Sequence, residues 1–422
     1  MQTAPVCRLP DDILMEIFRH GAETNDGNHH LQFQQVVSRV CTRFRSVALE
    51  DALLWIKIRY VPKNVFVRRC IELSKSALLD IAFHGNSGRL SDKPEYEEFF
   101  SLVNRECFRW KSVYIIIPLN LLPICTPLWD RNADTPYLVR ISLYSITPVG
   151  SDFDNSHLEL LPGAYPALRE VKLATSLPSW NWSRRSITRL ELGPFGARGA
   201  QHEPRHGPSY ENLFQMLKYL ESTIEHFALR GYLRDSPHDE RAVGTLSFKA
   251  LKTLVFSLES ISAQELLAVC SFERVENVDL LLGQSSREQF HSIFHRPDSA
   301  PFSTAQHLDI GYIRSLDNEK CRILEAAFPN ITDLQISPFI PLDDGLTRFL
   351  SDSWPSISSL GLWQIELPRL WELLEARRQK GLSRLRKIEI RNVKGIPLKS
   401  DFDRISLEVE ELTIRRTPQW AS

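Results

Sequence analysis

His291 and His295 stand four residues apart in REQFHSIFHRPD, with Glu288 nearby. On a helix that spacing turns two imidazoles to one side, where they could hold a divalent metal. Neither an HExxH pattern nor a cysteine partner accompanies them, so the pair reads as two surface histidines of an amphipathic helix. The seven cysteines (Cys7, Cys41, Cys70, Cys107, Cys125, Cys270 and Cys321) are odd in number, scattered and free of any CxxC pair. That pattern argues against a zinc ribbon and a disulfide framework, and it fits a reducing cytoplasm or nucleus. Gly193 opens GPFGARGAQHEPRHGPS, which lacks the Lys-Ser/Thr ending of a phosphate-cradling loop and reads as an exposed insertion. GxSxG is absent, no cysteine sits in a nucleophile motif, and neither an RNA-recognition consensus nor a helix-turn-helix signature is found. No catalytic residue, metal or cofactor is expected, and the chain is expected not to be an enzyme. Its work should be binding.

Charge and hydropathy narrow the partner. The 422 residues are 43% hydrophobic and 24% charged with a formal net charge of -1, so no global attraction to nucleic acid or to an anionic membrane is expected. VYIIIPLNLLPICTPL, from Val113, is broken by Pro118, Pro123, Pro127 and Asn120 and is short of a spanning helix; it reads as a buried strand followed by a loop. No basic, apolar leader opens the chain, because Asp11 and Asp12 arrive almost at once.

Binding needs elements to present it, and the most legible one is LPDDILMEIFRHG, from Leu9. Pro10 suits a first helical residue, Asp11 and Asp12 suit the positive end of the helix dipole, and Gly21 suits a left-handed C-terminal residue. Ile13, Leu14, Ile17 and Phe18 then form one apolar stripe, with Glu16 and Arg19 off it. A second periodic stretch fits two more helices. One runs near Phe33 to Ser38; the other carries Val40, Cys41, Phe44, Val47 and Ala48 on one face and ends before LLWIKI. Three short helices bury too little apolar area to stand alone, so the rest of the chain or another protein must cover them.

Leu9-Pro10, the DDILMEIF that follows, SRVCTRFRSVA and Leu54-Trp55 together, in this order and spacing, resemble an F-box. The resemblance implies docking onto the BTB-like adaptor of cullin-based ubiquitin ligases. It implies that Leu9, Pro10, Ile13, Leu14, Ile17, Phe18, Val40, Cys41 and Phe44 form or support that surface, with Trp55 closing the module. Two positions depart from the pattern: QFQQVV replaces a leucine-rich second helix, and Phe44 stands where tryptophan is commoner.

Behind the head an apolar-x-x-apolar-x-apolar pattern recurs. Clear copies are LVRISL, LREVKL, ITRLEL, LKTLVF, VENVDL, ITDLQI, ISSLGL, LRKIEI and VEELTI; looser ones are LLDIAF, WKSVYI, IEHFAL and AQHLDI. The mean spacing of about 28 residues falls in or near the range of leucine-rich repeats. Helical periods lie between copies, as in NLFQMLKYLEST, AQELLAVCSF, SREQFHSIFHR, NEKCRILEAAF and LPRLWELLEARRQKG. The spacing is irregular and the usual Asn or Cys after the strand is mostly missing. The array therefore resembles the degenerate leucine-rich repeats that follow F-boxes in large fungal families.

The expected fold is α/β: a small N-terminal three-helix F-box over residues 1–60, then a leucine-rich-repeat-like solenoid over 61–422 with a parallel sheet on its concave face. In that register Tyr144, Arg230, Asp279, Asp309, Asp333, Trp363, Arg391 and Arg415 point onto the sheet face and are the candidate target-binding residues. The middle repeats lean acidic, the last two basic, and Trp363 is a potential aromatic anchor. The expected function is substrate recognition in an SCF-type cullin ubiquitin ligase, with the adaptor, and through it the cullin, as partners beside an unidentified target protein. The alternative is a non-catalytic scaffold whose head binds the adaptor, or caps the solenoid, without directing ubiquitination.

Overall fold

The computed structural model describes residues 8–24, 33–61, 64–85, 93–125, 128, 134–146, 165–174, 186–193, 210–230, 233, 244–257, 261–281, 287–294, 300–311, 318–336, 344–363, 365–391, 393 and 399–415. They form two compact units, 1–186 and 187–422, so the head shares its unit with the first strands.

The first unit opens with helices α1 (Asp11–Thr24), α2 (Phe33–Val40) and α3 (Thr42–Glu50) and a 3-10 turn over Ala52–Trp55. Strand β1 (Lys57–Arg59), helix α4 (Val65–Leu73), strand β2 (Leu79–His84), helix α5 (Lys93–Asn104) and strands β3 (Trp110–Pro118), β4 (Arg140–Ile146) and β5 (Glu170–Ala174) follow. Each strand pairs in parallel with the next along the chain. VYIIIP lies within β3 and the residues after it form a 3-10 turn over Leu119–Ile124. Among the described residues no helix is long and apolar enough to cross a membrane. Phe83, Tyr96, Phe99 and Phe100 cluster edge-on and tilted between β2 and α5, at centroid separations of 4.8–5.4 Å.

The second unit repeats strand and helix. It runs β6 (Arg189–Leu192), α6 (Tyr210–Leu220), β7 (His226–Leu229), β8 (Leu246–Phe248), β9 (Thr253–Ser257), α7 (Ile261–Ala268), β10 (Cys270–Phe272), β11 (Asn277–Leu281) and α8 (Arg287–Phe294). Then come β12 (His307–Gly311), α9 (Asn318–Ala327), β13 (Asp333–Ile336), α10 (Asp344–Asp352), β14 (Ser359–Trp363), α11 (Leu367–Gln379), β15 (Lys387–Arg391), α12 (Lys399–Glu408) and β16 (Glu411–Arg415). Nine strands, all but β8 and β10, stand side by side in chain order, and those two pair separately.

Two devices repeat from one strand to the next. At the entries of β7, β9 and β11 to β16, two successive N–H groups donate to one carbonyl of the preceding repeat. Glu276 and Asn277 donate to Lys252, Gln306 and His307 to Glu276, Thr332 and Asp333 to Gln306, and Ser358 and Ser359 to Thr332. Behind the strands Phe248, Phe272, Phe302 and Phe328 stack at 5.8, 5.1 and 4.5 Å, and the Trp354 indole N–H donates to the Phe328 carbonyl at 2.8 Å. Every copy of the sequence pattern coincides with a strand, and central apolar residues such as Val278, Leu308, Leu334 and Leu360 are buried, whereas Leu412 in the last copy is half-buried. The mixed α/β, solenoid-like class is the one expected. One local reading is corrected: CSF at the end of AQELLAVCSF is strand β10, because Phe272 joins the phenylalanine stack.

Candidate docking surface

Helix α1 divides its stripe between two faces. Leu14 is 0% and Phe18 3% exposed, with Phe18 edge-on to Phe44 at 5.2 Å; Ile13 and Ile17, one turn apart, are each 45% exposed. Phe44, Val47, Ala48, Leu54 and Trp55 complete the inner side, and the Trp55 indole donates to the Ala48 carbonyl at 2.6 Å. Val36 and Val40, again one turn apart on α2, are exposed, as is Leu53 on the 3-10 turn. The head thus has a finished core and leaves apolar side chains outside it on α1, on α2 and on the 3-10 turn.

The ten expected adaptor residues separate accordingly. Pro10, Ile13, Ile17 and Val40 are exposed, Leu9 and Cys41 half-buried, and Leu14, Phe18, Phe44 and Trp55 buried as support. Val40 ends α2 rather than lying on the third helix. Cys41 precedes that helix as its N-cap, its Sγ accepting the Phe44 N–H at 3.4 Å. Val36 and Leu53 were missed, although Val36 sits one helical turn before Val40.

Polar contacts lock the helices together. Arg19 donates from Nε and Nη2 to the two oxygens of Asp51 at 2.8 and 2.9 Å. Asp51 is buried, and it also caps the 3-10 turn through the Leu53 N–H at 3.1 Å. The hydrogen bond and the Asp51 charge raise the Arg19 guanidinium further above its ordinary value. Arg43 ties the third helix to the first through Asp11 at 2.6 Å and the Leu9 carbonyl. Gln34, buried, donates to the Leu54 carbonyl at 3.1 Å. Gly21 is corrected: α1 runs through it to Thr24, and a Cβ there would collide with the Phe33 ring, so the glycine admits that ring instead of ending the helix.

On the sheet, Tyr144 lies in the first unit, tilted against Tyr114 at 5.3 Å, and Tyr114 stacks on His84 at 5.2 Å. In the second unit Asp279 and Asp309 are direct register partners on adjacent strands. Burial and the neighbouring Asp309 push the Asp279 carboxyl up to about 6, against the opposing pull of Arg230 and His307. Asp333 meets His307 at 3.1 Å. Burial acts to raise the Asp333 carboxyl, but the His307 hydrogen bond and charge win and hold it below its ordinary value; the same bond raises His307. The expected basic end is largely paired. Arg391 stacks over Trp363 at 5.2 Å, Glu389 takes Arg391 at 2.7 Å and Arg415 at 3.4 Å, and Lys387 meets Glu411 at 3.3 Å.

Of the residues first weighed for chemistry, His291 lies exposed on α8, while His295 and the Glu288 side chain lie outside the described residues, as does 194–209. Among the described residues no group of three His, Cys, Asp or Glu side chains is placed to hold a metal.

Residues 6–60 match the family model described as F-box-like. No curated protein matches the chain. With its closed inner core and exposed isoleucine pair, the head is an F-box-like domain, which supports a general role for the chain as an adaptor subunit of SCF-type ubiquitin ligases.

Proposed function

We propose that the chain is the substrate-recognition subunit of an SCF-type cullin ubiquitin ligase, docking a BTB-like adaptor with its head and a target protein with its leucine-rich-repeat-like body. The observation that carries this reading is the exposure of Ile13 and Ile17 on a helix whose other apolar face is already buried. An apolar pair left outside a completed core gains by being covered, at ~25 cal/mol per Å² of apolar surface removed from water. The chain makes and breaks no bonds in this scheme. It holds a lysine-bearing target beside a charged ubiquitin carrier, which turns a bimolecular encounter into a nearly intramolecular one. The target lies along the outward row of the sheet, with Asp279 and Asp309 facing its cations and Trp363 with Arg391 offering a flat contact.

Affinity purification of the wild-type chain beside a Leu9→Ala, Pro10→Ala variant tests it. Adaptor and cullin should accompany the wild type and be lost from the variant, with other partners retained. Adaptor without cullin would support a scaffold instead, and neither would support a head that only caps the body.

A further inference from the structure

The sheet ends at β16, and among the described residues no strand pairs with its outer side. The strand spans Glu411–Arg415 and pairs with β15 residue for residue, from Lys387 with Glu411 to Arg391 with Arg415. Natural sheet edges are blunted by shortness, proline, a bulge or an inward charge. Strand β1, at the other end of the strand order, has only three residues. ELTIR has five, with no proline, no bulge and no inward charge.

Leu412 and Ile414 occupy the positions that face the helices. In β11 to β15 the two corresponding residues are at most 3% exposed, whereas Leu412 is half-buried and Ile414 is 37% exposed. Phe402 of α12, also half-buried, lies on the side of its helix away from α11, because Arg404 sits over Trp371 of α11 at 4.2 Å and two residues turn a helix by about 200°. The backbone is equally unfinished. The Glu411 N–H donates to the Arg386 carbonyl at 2.8 Å, and alternate residues of a strand turn to the same neighbour. Glu411, Thr413 and Arg415 therefore bond towards β15, and Leu412 and Ile414 turn their N–H and C=O groups to the open side.

We infer that β16 of a second copy of the chain completes this edge, running antiparallel about a two-fold axis at Thr413. ELTIR is self-complementary in that direction. Glu411 stands opposite the second copy's Arg415, Leu412 opposite its Ile414, and Thr413 opposite its Thr413. Leu412 and Ile414 then form the pairs that exchange two hydrogen bonds, which uses the groups left open on both. A parallel partner would instead set Glu411 against Glu411 and Arg415 against Arg415, and a one-residue slip would turn the second copy's apolar residues to the other face. The charges are held in place within each chain: Lys387 meets Glu411 at 3.3 Å and Glu389 meets Arg415 at 3.4 Å, with the Glu411 and Arg415 side chains still 58% and 64% exposed. Across the axis the face then reads Lys387, Glu411, Arg415, Glu389 in alternating sign. Both copies' helices fall on one side of the joined sheet, so Phe402, Leu412 and Ile414 are covered by their own counterparts in an isologous interface. The joint does not rest on the ligase reading, because the head and the acidic middle of the sheet take no part in it.

Sedimentation equilibrium of the full chain from ~1 to ~200 µM tests it. The wild type should pass reversibly from one copy to two with a Kd of ~1–100 µM, the range of a small interface. Glu411→Arg and Arg415→Glu, both at exposed positions, should each weaken association at least ~tenfold, since each sets like charges together on both sides of the axis. An equimolar mixture of the two variants should regain association close to the wild type, because each supplies the charge that the other lacks. A wild type that stays monomeric at ~200 µM, a dimer unaffected by either substitution, or a mixture that associates no better than its components would overturn the assignment.

Discussion

Ile17 and Phe18 are sequence neighbours with opposite fates, and exchanging each separates docking from folding. Phe18 is 3% exposed and meets Phe44 edge-on at 5.2 Å. Removing a buried phenylalanine costs about 3–5 kcal/mol, of which the ring pair supplies ~0.5–1.5. At ~2–4 °C per kcal/mol for a unit of this size, Phe18→Ala should lower the melting midpoint of unit 1–186 by roughly 6–20 °C. Ile17, 45% exposed, has less to lose. Ile17→Asp should cost ~1 kcal/mol or less in the free protein, since aspartate and isoleucine differ little in helix propensity. On docking the balance reverses, because an unpaired carboxylate would replace an apolar contact, at a penalty of ~2 kcal/mol or more and hence at least ~30-fold in affinity. Circular dichroism melting and adaptor copurification on the two variants read both quantities. If Ile17→Asp melted as low as Phe18→Ala, the outer face of α1 would be packed and the reasoning wrong; adaptor binding undiminished by Ile17→Asp would refute it from the other side.

Three further outcomes follow from the same geometry. Asp51→Asn removes a charge-assisted fork to Arg19, so the urea midpoint of the head-bearing unit should fall by the equivalent of ~1.5–3 kcal/mol; an unchanged midpoint would mean that the pair is effectively solvated. Gly21→Ala should destabilise rather than stabilise α1, because overpacking against Phe33 at ~1–3 kcal/mol exceeds the ~1 kcal/mol gained in helix propensity; a rise in melting midpoint would contradict it. The Asp279 carboxyl, raised from 3.8 to about 6, binds its proton more tightly in the folded state, so its contribution to stability is complete below ~4 and is lost as pH rises through about 6. Asp279→Asn should therefore gain on the wild type between pH ~4 and ~7, by ~1–2 kcal/mol in urea unfolding, and a pH-independent difference would contradict it.

The repeating strands were legible because each carries alternating apolar residues on a parallel sheet buried from behind, as Val278 and Leu280 flanking Asp279 illustrate. Strands β1, β8 and β10 escaped because three residues are too few to display a period. In the head, type and spacing located the helices but not the division of the stripe. Ile13 and Leu14 are equally apolar, and only packing of the first helix against the second and third decides which one is covered. Gly21 misled because a helix-ending glycine and a close-packing glycine look alike until Phe33 is placed. The basic character of the last strands faded because Glu389 and Glu411 sit on the same face as the cations and pair with them.

The central claim is that the outer apolar row of the head is a docking surface. Titration of a purified BTB-like adaptor into the wild-type chain and into an Ile13→Asp, Ile17→Asp, Val40→Asp variant tests it most directly. The account predicts a saturable complex with one adaptor per wild-type chain, and no measurable complex for a variant that keeps the wild-type circular dichroism spectrum. Equal affinity for both chains, or no complex with the wild type, would contradict it.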